Sequence, residues 1–451
     1  MADTTEKTEA INRYSVFVPG DFPIYTYIKR QFSRKRTGKK FDPESEIKNA
    51  LRQKGIIAQV VGPSKSGKTR AVENCIGNNH LISIPGSQIT ESLTLWDITL
   101  RVLNSPTSTE KTNTTGSNWN VDASVTGSGD IWLAEVEAEV SGTFEHEESE
   151  EETKIFLPDS FHEVTKSLKE KRKVLFLDDF HTIPNSLQKT VAAQLKAAAQ
   201  LGVKICLAEV PHHSDSTISA LPDLTGRIRK ISFNYWDLND LIEIWRVGFH
   251  KLGANVSSAT LEAFAQEAAG SPQLMQMICL NAAEDWDIDE VINPPRTFQA
   301  DLNEIREILI TTHETVDREQ IFNVLDQGPD ERGKERNKYP IKVLGQGDNY
   351  EIALAAISLS PPRTSLTWNN GEDNLLARMD KICLDNNNRP AKAQITRALE
   401  QMESLARTEM PTQSILEWDS SKGLHILDPY FLFHLRWSEK YEPLRNHDND
   451  A

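Results

Sequence analysis

The stretch Gly62-Pro63-Ser64-Lys65-Ser66-Gly67-Lys68-Thr69 has residue types and spacing that can do chemistry on phosphate. Two glycines five positions apart let the backbone curl until successive amides converge on an anion. Lys68 supplies a cation for β- and γ-phosphates, and Thr69 a hydroxyl for Mg2+. Arg70 follows directly as a further cation at the rim. The apolar run Ile56–Val61 predicts a buried strand before the loop, and Arg70–Ile76 predicts a helix after it. That helix adds its positive N-terminal end. A chance Gly/Ser turn lacks both flanks.

A second signal lies at Lys173-Val-Leu-Phe-Leu-Asp178-Asp179. Four apolar residues predict a strand buried on both faces. At its end Asp178 is placed to hold Mg2+, and Asp179 to orient or polarise an attacking water. An acidic pair can instead cap the next helix, but the phosphate loop upstream favours the metal reading. Glu209 competes with Asp179 for the role of base. It ends the strand Val203–Ala208 and precedes His212, His213 and Ser214. Glu209, His213 or Ser214 is a candidate sensor of nucleotide state, against the ordinary alternative of loop histidines in solvent. Arg227 and Arg229 lead into a last strand. One of them is a candidate arginine finger, in cis or toward a neighbour, unless both merely pair with surface carboxylates.

The chain around these residues has 451 positions, room for two to four domains at roughly 100–200 residues each. Hydrophobic residues make up 38% and charged residues 26%, a balance suited to folded soluble domains. No apolar window approaches the ~18 residues of a membrane span. The first ten residues are polar and acidic, without a secretory core. Cys75, Cys206, Cys279 and Cys383 are scattered, which argues against disulfide or zinc frameworks and for a reducing, cytoplasmic setting. A net charge of −16 disfavours a chain coated in nucleic acid.

The elements that must position the chemistry follow a regular order. Residues 1–50 hold an aromatic and basic segment, including Tyr27 and Arg30, and a helix over Glu44–Lys54. This segment either packs on the core with a solvated basic face or crosses the nucleotide at Tyr25–Arg30. Residues 51–235 alternate strands and helices, as a parallel α/β sheet does. They are interrupted at 104–152 by a Ser/Thr/Asn-rich stretch, an alternating β-hairpin pattern and the acidic run Glu145–Glu152. Residues 236–315 read as a helical lid, with Asp237 and Ser258 as N-caps, Gly270 as a stop and Pro272 opening the next helix. Residues 316–345 read as a linker and Asn446–Ala451 as a disordered tail.

The ordered set resembles the AAA+/STAND branch of P-loop NTPases over about residues 14–285. The resemblance rests on Tyr27–Arg30, Gly62–Thr69, a strand ending Asp178-Asp179 and a sensor strand. Arg227/Arg229, a Trp-bearing helix at Asp240–Trp245 and the Gly270-x-Pro272 turn complete it. It implies an α/β P-loop NTPase fold with ATP and Mg2+ as cofactors. Lys68, Asp179, Glu209, Arg227 and Arg229 would be catalytic. Gly62, Pro63, Ser64, Lys65, Ser66, Gly67, Thr69, Arg70, Tyr27, Arg30 and Pro272 would bind nucleotide, and Thr69 and Asp178 would hold metal. It further implies a slow regulatory ATPase that self-assembles, as in signalling or bacterial antiviral defence. Nothing in this chain looks like the usual fused effector, so the effector would be a separate protein.

Residues 346–445 give three helical patterns, then Ser414–Trp418, a turn at Asp419–Gly423 and Leu424–Leu427, which predicts a winged helix. Lys392, Gln394, Thr396 and Arg397 on its third helix would face a DNA major groove. Glu400, Glu403 and the acidic total count against that, so an interaction or autoinhibitory module is favoured. Two function classes therefore stand: an ATP-driven switch controlling a partner, or a DNA-associated initiator or loader. A nucleotide-binding scaffold without turnover is a third.

Overall fold

The computed structural model describes residues 10–33, 38–104, 160–210, 226–330, 335–385, 388–410 and 413–450. The hairpin pattern within 104–152, the acidic run, the basic residues 34–36, and His212, His213 and Ser214 lie outside the described residues. The chain divides into two compact units. One comprises Arg30–Gly62 and Lys68–Phe233; the other comprises the segment ending at Lys29, Pro63–Gly67 and everything from Asn234.

The first unit is built on a five-stranded parallel sheet. Its order across the sheet is Leu81–Pro85, Val174–Asp178, Lys204–Glu209, Ile57–Val61 and Ile228–Ser232. Parallel pairing requires helical crossovers that cover both faces, which is why these strands are continuous apolar runs. Val174, Leu175, Phe176 and Leu177 are all fully buried. Each contributes about 1.5–3 kcal/mol through removal from water. One face packs on the helices Pro43–Arg52 and Lys68–Ile76, the other on Leu95–Asn104, Ser160–Glu170 and Asn185–Gln200. The loop-bearing strand Ile57–Val61 lies between the strands of Glu209 and Arg229, so Gly62 and Glu209 emerge from adjacent carboxyl ends. This connectivity and loop make the unit an α/β P-loop NTPase fold.

In the second unit, helices Leu238–Lys251, Ser258–Glu267, Pro272–Asp285 and Leu302–Thr315 surround Trp245. Its ring lies 4.4 Å from Phe249 and 5.0 Å from Phe264. Asp237 caps its helix as expected, Ser257 rather than Ser258 caps the second, and Ser271 and Asp301 cap the other two. Gly270 stops that helix at φ +80°, where a Cβ would meet Tyr235 at 2.6 Å.

Farther along, helix Asn349–Ser358, strand Ser365–Leu366, helices Leu375–Ile382 and Lys392–Glu409, and strands Leu416–Asp419 and Gly423–Ile426 follow in order. The three strands form one antiparallel sheet with Gly423–Ile426 at its centre. Two buried guanidiniums finish the first of these helices. Arg378 donates to the carbonyls of Leu359 (3.0 Å) and Pro361 (2.6 Å), and Arg436 to those of Ser358 (2.6 Å) and Leu359 (2.7 Å). Those of Ser358 and Leu359 are carbonyls that the helix end itself leaves open.

Two expectations change, and one short strand is new. Residues 316–345 are not wholly a linker, because Glu319–Gln327 forms a helix that buries Ile321, Phe322 and Leu325. The strand Ser365–Leu366 was too short to show a period. The tail continues as helix Glu442–Asp450, anchored by the buried Leu444 and by Arg445 stacked 3.6 Å over Trp437.

Candidate functional site

The loop leaves its strand at Gly62, where a Cβ would lie 2.6 Å from the Phe233 carbonyl oxygen, so no side chain fits. Gly62 donates its amide to the Glu209 carbonyl at 3.2 Å. Farther on, Lys65 (φ +60°) and Gly67 (φ +88°) take left-handed conformations, which turn successive amides toward one side as an anion nest requires. The Ser66 hydroxyl donates to the Pro63 carbonyl at 2.8 Å and closes the turn. Helix Lys68–Ile76 begins directly after it. Lys68 is buried, and its Nζ donates to the Gly62 carbonyl at 2.8 Å, within the loop whose anion it is suited to bind.

Asp178 ends its strand beside the start of this helix. Thr69 Oγ1 donates to Asp178 Oδ2 at 2.7 Å, so the hydroxyl and the carboxylate expected to hold a cation are together. Burial, reinforced by the neighbouring Asp179 charge, pushes the Asp178 carboxyl up to about 6. A buried carboxyl of this kind gains from a cation, and the Thr69–Asp178 pair fits Mg2+ shared with phosphate oxygens. Among the described residues no cluster of three or more His, Cys, Asp or Glu is arranged for a metal.

Asp179 is left-handed (φ 50°) and donates its amide to Asp178 Oδ1 at 3.0 Å. Its half-exposed carboxylate lies 4.0 Å from His181 Nδ1. It does not cap a helix with its side chain, the alternative its sequence position left open. Glu209 is buried, and the Gln59 amide donates to its carboxylate at 2.6 Å. Burial raises this carboxyl to about 7, against the opposing charges of Lys230 and Lys68.

The arginines lie elsewhere. Their strand runs parallel to Ile57–Val61, with Ser232 opposite Val61 at the loop end and Arg229 opposite Ala58. At ~3.3 Å per residue, Arg229 is set back about 10 Å from that end, and Arg227 farther. Arg229 pairs with Glu46 at 2.7 Å. The cis-finger reading therefore loses its geometry. Arg70 pairs with Glu73 at 2.8 Å, and Arg30 lies buried over the Phe32 ring at 4.3 Å.

Within the second unit, Tyr27 stacks on Phe22. Pro272 opens its helix as expected, and its Cγ lies 3.9 Å from where a Gly67 Cβ would be. Two residues that the sequence did not single out also meet the loop tip. The Trp236 indole donates to the Ser66 carbonyl at 3.0 Å, and the Lys65 ammonium lies 5.4 Å from the Tyr430 ring centroid. Neither carries a local motif. Gln59, by contrast, was visible as the one polar residue inside an apolar strand.

No family model matches this sequence, and no curated protein matches it. Solved structures do. A Walker-type ATPase, PABY2304 of Pyrococcus abyssi, is 12% identical with a TM-score of 0.47, over 91% of this chain and 99% of that one. Cdc6p of Pyrobaculum aerophilum is 16% identical with a TM-score of 0.38, over 97% and 100%. The RuvB Holliday junction branch migration motor of Thermotoga maritima is 12% identical with a TM-score of 0.33, over 64% and 76%. With TM-scores below 0.5, the likenesses carry no argument about function. The fold assignment rests on the sheet order and the loop.

Proposed function

We propose that this chain is an ATP-binding and ATP-hydrolysing switch that self-assembles and controls a separate partner protein. The observation that carries the reading is the Lys65–Tyr430 contact, with Trp236 on Ser66 beside it. Tyr430 belongs to helix Pro429–Trp437, directly after the three-stranded sheet that we read as the wing of a winged helix. A cation–π contact is worth roughly 0.5–2 kcal/mol, weak enough for a phosphate to compete for Lys65. Nucleotide at the loop would thus bear directly on the C-terminal module.

In the reaction, Lys68 exchanges the Gly62 carbonyl for phosphate oxygens. Thr69 and Asp178 would hold Mg2+, which when bound neutralises charge on the β- and γ-phosphates. Asp179 orients the attacking water, with Glu209 as the competing base. Arg227 and Arg229 are left for a neighbouring subunit. The DNA reading gains little support. Gln394 accepts from the Ala391 amide and donates to Tyr339, and Glu403 pairs with Arg407 on the same helix.

The test is mass in solution with and without ATP and Mg2+. The wild type should assemble with nucleotide, and Tyr430→Ala should assemble at lower ATP concentration. Lys68→Ala should stay unassembled. Assembly of Lys68→Ala identical to the wild type sinks the switch.

A further inference from the structure

The buried pair beneath the phosphate loop has no part in the scheme above beyond Glu209 as a competing base. Gln59 is fully buried on the strand that feeds the loop, and its Nε2 donates to Glu209 Oε1 at 2.6 Å. Among the described residues its own Oε1 has no hydrogen-bond partner. A buried amide in a central strand is costly unless it does something, because the same space would take an apolar side chain. Glu209 meets the loop through its backbone, where its carbonyl accepts the Gly62 amide, and its carboxylate lies within the field of Lys68. Lys68 in turn donates to the Gly62 carbonyl. The charges acting on the carboxylate are Lys230, opposite Gln59 on the neighbouring strand, and Lys68, and the turn that carries His181 packs against the Glu209 strand.

We propose that Gln59 is a positioning residue that fixes Glu209 as a buried carboxylate between Lys230 and the phosphate loop with its Lys68, and that nucleotide binding is therefore coupled to proton uptake by Glu209. The inference rests on the loop being a nucleotide-phosphate site. Phosphate draws the Lys68 ammonium to itself and brings negative charge close. The Glu209 carboxylate then keeps Lys230 but loses part of the Lys68 field and gains like-charge neighbours, both of which favour its neutral form. One proton passes from solvent to a Glu209 carboxylate oxygen, and no bond between heavy atoms changes. Gln59 keeps the carboxylate ionised in the free protein by donating to it.

The experiment is calorimetric titration of the full chain with ADP and Mg2+ at pH 7 to 9, in two buffers of different ionisation enthalpy. At pH 8 the second ionisation of a phosphate, near pKa 6, is complete, so the nucleotide itself contributes little. The wild type should take up more than half a proton per ADP at pH 8, and Glu209→Gln should take up essentially none. Gln59→Leu removes the donor and should move the uptake profile to higher pH by about one unit, with Gln59→Asn partly restoring it. A packing role alone would change affinity without moving that profile. Binding without uptake in the wild type, or uptake retained in Glu209→Gln, overturns the proposal. An unmoved profile in both Gln59 variants overturns the role of Gln59. Absence of any ADP binding by the wild type overturns the phosphate-site reading, and this inference with it.

Discussion

Thr69 Oγ1 and Asp178 Oδ2 lie 2.7 Å apart, although 109 positions separate them in the chain. The first residue begins the helix after the loop and the second ends a strand two places away across the sheet. Their meeting turns two motifs into one candidate metal site.

Removal of either partner should weaken the metal-dependent part of nucleotide binding. Thr69→Ala and Asp178→Asn are expected to lose roughly 10- to 100-fold in ATP affinity with Mg2+, on the scale of about 1.4 kcal/mol per tenfold. In chelator, their affinities should approach that of the wild type. Fluorescent-nucleotide titrations with and without Mg2+ check this. Equal losses in both conditions would assign the pair to folding instead.

Gly62→Ala should deform the loop at its root. The added methyl would sit 2.6 Å from the Phe233 carbonyl oxygen and 2.7 Å from its Cβ, and backbone cannot step aside cheaply. Overpacking of this kind costs about 1–3 kcal/mol. Chemical denaturation should show that loss together with weaker ADP binding. A variant as stable as the wild type with unchanged affinity would contradict the close approach.

Glu267 anchors a buried charge cluster. It accepts from Arg436 at 2.7 Å and from the Trp437 indole at 2.9 Å. Despite the opposing effect of burial, the Arg436 and Arg445 charges hold its carboxyl below the usual range. Glu267→Ala leaves the buried Arg436 without its carboxylate and should cost about 3–5 kcal/mol. The midpoint of urea unfolding is the measure. A cost below 1 kcal/mol would mean that the guanidinium reaches water.

Acid should loosen the second unit through a histidine pair. His313 and His434 have ring centroids 4.4 Å apart, and burial lowers both, His313 to about 4. A depressed histidine contributes stability above its unfolded value near 6.5. That contribution is lost as pH falls through the folded value. The apparent melting temperature should therefore fall between pH 6.5 and 4, with a smaller fall in His313→Gln. A wild-type profile flat across that window would refute the coupling.

The sequence by itself determined the local chemistry and the nature of most elements. Gly62–Thr69 and Val174–Asp178 were legible because backbone curl and burial on two faces write themselves into adjacent residues. The helix starts at Leu238 and Pro272 followed from Asp237 and from proline's place in a first turn. Tertiary structure alone decided which distant side chains share a site. It brought Asp178 to Thr69 and Gln59 to Glu209, and set Arg227 and Arg229 back from the loop end of the sheet. It also brought Tyr430 to Lys65, across a separation of hundreds of positions. Parallel strand order is the reason. It is fixed by crossovers between segments far apart in sequence, and no period within one segment records which strand will lie next to it.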